Sequence, residues 1–313
     1  MIRPTAPSAR RALLAASALI AATAAIAPGQ PATASLRPAT VVDQTSSVVT
    51  IPVAGTAADG AAGFWTPARR EAARADDANA PSSDASADAV SADAADPVEQ
   101  VAPVPHIGRL YFVRNGSYYY CTANVVDAPN GSTIATAGHC ASSMGVFSTD
   151  LAFFPGAHDG QTPYGTWTIR TGNIPSGWYS SNDTDVADDS AFYALDANAD
   201  GATVESVVGA SPVLFGQSAE QAIAAFGYPV VGRFDGTHLE RCLATGTALA
   251  PSLVAFPCGM TGGASGGPIL AGSADGAQFA NVTTLDYYQT HNQGPLWEDA
   301  QRSAYQATAS DVG

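Results

Sequence analysis

The 313 residues carry 28 acidic and 13 basic side chains, a net charge of −15, and every basic residue is an arginine, scattered along the chain. No basic patch of the kind a nucleic-acid partner requires can be assembled from such a distribution. The acidity reads as a solubility feature, not as a mark of specificity.

In chain order, Arg3, Arg10 and Arg11 precede an uncharged apolar run over 12–27, and Ala32-Thr33-Ala34 offers a small-residue cleavage site. This predicts an export signal over 1–34. A retained signal anchor is the alternative, but the run is alanine-rich and shorter than the ~20 strongly apolar residues that span a bilayer. No later segment is long and apolar enough to cross, so a secreted, extracellular product without a membrane partner is expected. Over 35–104 the composition shifts to Ala, Asp, Ser and Pro, with six aspartates between Asp76 and Asp96. Such a stretch is expected to be disordered, since it buries too little apolar surface to offset chain entropy. It reads as a propeptide or a linker; removal is favoured, with the leader ending between Ala95 and Pro105.

From 105 to 313 the texture becomes short β-branched and aromatic runs punctuated by Gly, Pro, Asn and Asp. Strands are predicted over 109–113, 117–126, 132–137, 165–170, 190–195, 221–226, 246–250, 267–271 and 278–285. One helix is predicted over 297–309, where Trp297, Ala300, Ala304 and Ala307 share a face. This pattern suits one all-β unit of two barrels or a sandwich. All four cysteines lie beyond residue 120, and export makes two disulfides the natural reading. Spacing leaves the three connectivities open, and neither CxxC nor a histidine pair at ligand spacing suggests a metal.

Two motifs carry chemistry. Thr136-Ala137-Gly138-His139-Cys140 sets a histidine directly after an apolar strand, and Gly262-Gly263-Ala264-Ser265-Gly266-Gly267-Pro268 sets a serine inside a glycine-rich turn. Glycines there let a substrate backbone approach while free N–H groups converge on one point. Residues 263–267 also fit GxSxG, but an α/β-hydrolase elbow needs a strand-turn-helix unit and the order Ser, acid, His, whereas Pro268 follows here and the histidine lies upstream.

With TAGHC at 136–140, Asp189-Ser190-Ala191-Phe192, Gly227-Tyr228-Pro229 and CGMTGGASGGP over 258–268, the chain resembles the trypsin or chymotrypsin family of serine peptidases, and more closely its secreted actinobacterial branch. The resemblance covers roughly 107–300 and implies a chymotrypsin-like double six-stranded antiparallel β-barrel, split near 205, with a short C-terminal helix. It further implies a catalytic triad of His139, Asp189 and Ser265 acting on polypeptide substrates through an acyl-enzyme. Asp185, in Asp185-Val186-Ala187, is the second candidate for the acid. By the same pattern the backbone N–H groups of Gly263 and Ser265 form the oxyanion hole, and Cys121 pairs with Cys140 and Cys242 with Cys258.

Substrate binding is implied for Gly259, at the base of the specificity pocket, and for Thr284, Leu285 and Asp286 on the substrate-pairing strand. Gly259 removes the implication of a preference for Arg or Lys. His291 reads as a surface histidine and Met260 as a filler of the pocket wall. Ala264 stands where the animal enzymes carry an aspartate, and no IVGG-like start occurs near 105, so maturation by insertion of a new N-terminus is not expected. No cofactor or metal and a monomeric state are expected. The rival readings are a catalytically silent relative that kept the fold and a serine esterase.

Overall fold

Alternation of apolar and polar residues in short runs builds a predominantly β molecule, here described by a computed structural model over residues 47–53, 57–75, 97–285 and 290–312. Ahead of the expected domain come β1 (Val48–Ile51), α1 (Ala57–Phe64), α2 (Pro67–Glu71), β2 (Arg74–Ala75) and β3 (Val98–Gln100). The first half continues with β4 (Ile107–Arg114), β5 (Ser117–Val126), β6 (Thr133–Thr136), α3 (Gly138–Ala141), β7 (Ser142–Ser143) and β8 (Val146–Phe147). It ends with β9 (Thr149–Pro155), β10 (Trp167–Pro175), α4 (Ser176–Ser180), β11 (Ala191–Leu195) and α5 (Val204–Val208). The second half holds β12 (Ala222–Gly227), β13 (Glu240–Thr245), β14 (Thr247–Ala250), β15 (Leu253–Phe256) and β16 (Pro268–Ala271). Then follow β17 (Gln278–Asn281), β18 (Thr284–Leu285), β19 (Asn292–Pro295) and α6 (Asp299–Ala309). Among the described residues no helix is long and apolar enough to cross a membrane.

The first half closes on itself. Pairing runs β10-β11-β6-β5-β4-β9, and β9 returns to β10 through Trp167 and Phe153, which makes a six-stranded antiparallel barrel. Closure removes the edges that an open sheet must otherwise protect. Phe112, Phe153, Ile169, Trp178, Tyr193 and Leu195 fill its interior.

The second half shows the expected six-stranded barrel in part, as two antiparallel sheets, β17-β16-β12-β13-β3 and β14-β15-β19-β18. They share one core around Ile223, Phe256, Cys258, Met260, Ile269 and Phe279, and the bridge between Ala280 and Leu296 joins them. Irregular register, at Ala248/Ala250 and at Ile269/Leu270, bends the strands so that pairing does not run unbroken around the core. Between the two halves lies a third cluster that includes Ile107, Tyr111, Tyr120, Phe154, Phe226 and Tyr228. Helix α6 starts two residues later than predicted, with a capping box between Glu298 and Gln301, and packs on β10 and β11.

The leader is the main correction. Composition alone predicts disorder over 35–104, yet 47–53, 57–75 and 97–104 fold against the barrels. The reason is tertiary: Val49, Ile51, Ala61, Trp65 and Val98 are buried by partners elsewhere in the chain, and β1, β2 and β3 obtain backbone hydrogen bonds from β10, β5 and β13. The predicted signal peptide and residues 76–96 lie outside the described residues.

Candidate active site

His139 sits in the one-turn helix α3 directly after β6, a strand fixed between β5 and β11. Cys140 is bridged to Cys121 of β5, which ties that turn to the barrel wall, and the second bridge joins Cys242 of β13 to Cys258. Both pairings are those the resemblance implies. Cys121, His139 and Cys140 lie close enough to suggest a metal cluster, but the disulfide occupies both sulfurs and leaves no thiolate ligand.

Asp189 follows a 3-10 turn over Val186–Asp188 and lies two residues before the start of β11 at Ala191, so the strand fixes its position. It is fully buried and receives two hydrogen bonds from one residue: the backbone N–H of His139 donates to Oδ1 at 2.7 Å, and Nδ1 of His139 lies 2.8 Å from Oδ2. An acceptor-only carboxylate at that distance assigns the hydrogen to Nδ1 and leaves the basic lone pair on Nε2. Asp185 is exposed at the N-terminal end of the same 3-10 turn and takes no part in this contact. Asp188 faces the other way, where burial pushes its carboxyl up to about 6, helped by the Asp185 charge. Gln301 of α6 donates to Ala187 O at 2.7 Å and thus holds the loop that carries Asp189.

Ser265 is buried in the turn between Cys258 and β16, and its Oγ donates to Thr283 O at 2.9 Å. The turn is wedged onto the first barrel: Thr122 N–H donates to Ser265 O at 2.8 Å, and Thr122 Oγ1 donates to Gly263 O at 2.8 Å. Gly266 has φ +82°, and a Cβ there would lie 2.1 Å from Thr136 Oγ1 and 2.9 Å from Ala137 N, two residues before His139. Only glycine allows that approach. From the other side, Asn281 donates to Asp189 O at 2.9 Å and accepts from Ser190 Oγ at 2.7 Å, so β17 is linked to the acid as Thr283 is linked to the serine. The N–H groups of Ala264, Gly266 and Gly267 are spent on Thr261 O, Val282 O and Ala264 O. Among the described residues, no acceptor takes the N–H of Gly263 or of Ser265, which is the state required of donors kept for an oxyanion.

Two contributors were not found from sequence. Arg114, at the end of β4, is 7% exposed and donates from Nη2 to His139 O, to Cys140 O at 3.2 Å and to Ser148 Oγ at 2.9 Å, while its guanidinium stacks over Phe112. Asn281 is the other. A lone arginine or asparagine in a strand has no sequence signature, because its role depends on what the fold places opposite it.

Of the implied substrate-binding residues, Gly259 is half-buried before Met260, which is buried and held through its N–H and C=O by the Asn292 side chain. Thr284 and Leu285 form β18 and pair with Gln293 and Asn292 of β19. Asp286 lies outside the described residues. His291 is half-buried, with Nδ1 2.9 Å from Thr290 Oγ1.

No protein-family model and no curated protein matches the sequence. Solved structures do. A protease from Arthrobacter nicotinovorans, Anisep, is 34% identical over 68% of this chain and all of its own, with a TM-score of 0.64. The thermostable serine protease AL20, from an extremophilic microorganism, is 34% identical over 66% of this chain and 99% of its own, with a TM-score of 0.61. A Glu endopeptidase at 22% identity and a TM-score of 0.56 shares the fold over 69% of this chain and 98% of its own. With this likeness added to a closed β-barrel and a buried histidine–aspartate pair, the chain belongs to the chymotrypsin- and trypsin-like serine peptidases, and the Arthrobacter relative fits the actinobacterial branch of that family.

Proposed function

We propose that this peptidase is a secreted serine endopeptidase in which Ser265 is the nucleophile, His139 the general base and acid, and Asp189 its orienting carboxylate. The observation that carries the reading is the two-point grip of Asp189 on His139, at 2.7 and 2.8 Å, in a fully buried setting. A carboxylate held this way disfavours the wrong tautomer and stabilises the imidazolium that forms during reaction.

In the proposed sequence, Ser265 gives up its bond to Thr283 O as its proton passes to His139 Nε2 and Oγ attacks the substrate carbonyl carbon. The resulting oxyanion is received by the N–H groups of Gly263 and Ser265, a pair whose loss typically costs ~3 kcal/mol per donor. Collapse breaks the C–N bond, and His139 returns the proton to the departing amine, leaving an ester on Ser265. Water then gives a proton to His139 and a hydroxyl to the acyl carbon. The second collapse breaks the ester bond, and the same proton restores Ser265. No bound metal or cofactor is called for.

We further propose an export signal over 1–34, a leader beyond it, and a peptidase domain over 105–313 that works as a monomer. The two disulfides support an oxidising, extracellular destination. A fluorophosphonate probe tests the catalytic reading. Labelling of the processed protein that disappears in Ser265→Ala, together with cleavage of unfolded protein, is the expected result. Turnover of activated esters without protein cleavage would favour the esterase, and no labelling of correctly folded protein would favour the silent relative.

A further inference from the structure

Thr122 is fully buried in the middle of β5, where a polar side chain must find protein partners for the hydrogen bonds that water supplies in the unfolded chain. Each of its polar atoms is engaged. Its Oγ1 accepts from the N–H of Tyr228 at 3.0 Å and donates to Gly263 O at 2.8 Å. Its N–H donates to Ser265 O at 2.8 Å, and its C=O accepts from Thr136 Oγ1 at 2.8 Å. These partners come from three places that the proposed reaction needs in register. Thr136 ends β6, three residues before His139; Tyr228 follows β12 of the second half; Gly263 and Ser265 belong to the nucleophile turn.

The two N–H groups proposed for the oxyanion lie in the peptide groups 262–263 and 264–265. A peptide group is planar, so the direction of its N–H follows from the hold on its own C=O and on the groups beside it. Thr122 holds the carbonyls of groups 263–264 and 265–266, one through its hydroxyl and one through its N–H, and so grips both neighbours of the group that carries the Ser265 N–H. That central group is closed by Gly267 N–H on Ala264 O at 2.9 Å. The other group is fixed by Val230 N–H on Gly262 O at 2.9 Å, and Val230 stands two residues beyond Tyr228, whose N–H is anchored on the Thr122 hydroxyl. Gly263 has φ +99°, and a Cβ there would lie 2.3 Å from Tyr228 O, so the turn and the 228–230 segment are in direct contact. One hydroxyl, with one hydrogen to give and lone pairs to accept, thus bears on both donors.

We infer that Thr122 is the positioning residue of the oxyanion hole: through its hydroxyl it sets where the N–H groups of Gly263 and Ser265 point, and it registers them on the barrel that carries His139. This rests on the serine-peptidase reading above. In this role Thr122 touches no substrate and acts through the turn. Hydrogen bonds weaken steeply as donors swing out of line, and those to an oxyanion count only once the tetrahedral state forms. The loss of the hydroxyl therefore falls on kcat and not on KM.

The test combines steady-state kinetics on a peptide substrate with inhibition by a peptidyl trifluoromethyl ketone, for the wild-type enzyme and for Thr122→Val, Thr122→Ala and Thr122→Ser. With the ketone, the Ser265 Oγ–C bond forms, the C=O π pair moves onto oxygen and the Ser265 proton passes to His139 Nε2, which leaves an oxyanion between the two donors. Valine keeps the shape and the backbone N–H without the hydroxyl, while alanine and serine differ from each other by the hydroxyl alone. In the valine and alanine variants kcat is expected to fall about 10- to 100-fold with KM moving less than about threefold, and serine is expected to recover kcat to within about fivefold of wild type. The ketone inhibition constant is expected to rise by the same factor as kcat/KM falls. The pH at which kcat/KM reaches half its maximum is expected to stay in place, because the contact between His139 and Asp189 is untouched.

A hydroxyl that served the fold alone would lower Tm and leave ketone inhibition of the folded enzyme unchanged; that result overturns the positioning role, as does a serine variant no better than alanine. If the valine variant fails to fold, the alanine and serine pair decides, with folding checked by circular dichroism and intact disulfides. Failure of both hydroxyl-free variants to fold would assign the hydroxyl to folding and also overturn the role. A folded wild-type enzyme that neither cleaves peptide nor is inhibited by the ketone would instead overturn the catalytic reading, and the positioning role with it.

Discussion

Replacing Asp189 by asparagine changes one atom at the centre of the proposed chemistry, and the structure indicates how the site responds. Oδ1 accepts the backbone N–H of His139 at 2.7 Å and Oδ2 faces Nδ1 at 2.8 Å. An amide offers one acceptor oxygen, so one of these contacts becomes donor against donor. The backbone N–H cannot change its nature, and leaving it unpaired in a fully buried place costs about 1–3 kcal/mol. The imidazole can move its hydrogen. The amide oxygen therefore stays with the backbone, the NH2 group faces Nδ1, and the ring hydrogen shifts to Nε2, the atom that must accept the Ser265 proton. The imidazolium also loses an opposite charge 2.8 Å away, worth about 6 kcal/mol at an effective dielectric constant of about 20. Both arguments point to a fall in kcat of about 10⁴-fold, as when a triad carboxylate is neutralised elsewhere. Steady-state kinetics on a peptide substrate provide the assay, with KM expected to move less than about threefold because Asp189 does not touch substrate. Asp185→Asn is the control and is expected to change kcat less than about threefold. A loss of less than tenfold in Asp189→Asn, or an equal loss in Asp185→Asn, would refute the assignment.

Other outcomes follow from the same geometry. Arg114→Met removes the donor shared by His139 O, Cys140 O and Ser148 Oγ; kcat is expected to fall about 10- to 100-fold at nearly constant KM, as for a misplaced catalytic group, read by steady-state kinetics. Removing the first bridge with Cys121→Ala and Cys140→Ala is expected to cost about 3 kcal/mol of stability in the chain-entropy account, measured by denaturant unfolding, with kcat reduced because the His139 turn loses its tether. Gly266→Ala places a methyl 2.1 Å from Thr136 Oγ1 at a φ of +82°, so little or no folded protein is expected on secretion. Asp188, raised from 3.8 to about 6 by burial, binds its proton more tightly in the folded state. Its contribution to stability is therefore most favourable below about pH 4 and declines as pH rises toward 6. Asp188→Asn should raise Tm at pH 7.5 and change it little at pH 4 in thermal scans.

What was legible in the sequence was whatever depends on local chemistry. TAGHC and GGASGGP pointed to His139 and Ser265 through their resemblance to the family, since either motif alone also fits an ordinary histidine or a glycine-rich turn. Strands such as 117–126 showed in their runs of β-branched and aromatic residues. Strands at Thr149–Pro155, Glu240–Thr245, Leu253–Phe256 and Asn292–Pro295 were missed; in Asn292–Pro295 nothing but the partner across the sheet makes Asn-Gln-Gly-Pro extended.

The sequence by itself determined the residue types of the proposed site, their order His, Asp, Ser along the chain, and the count of cysteines. Only the tertiary structure decided which cysteines pair, that Asp189 and not Asp185 meets the imidazole, that Arg114 and Asn281 brace the turn, and that the second half splits into two sheets. It also decided the fate of the leader: an alanine- and aspartate-rich segment lacks the apolar surface to fold alone, but Trp65 and the β1 strand find theirs on the barrel. Burial and backbone pairing are properties of two surfaces together, and one stretch of sequence encodes only its own half.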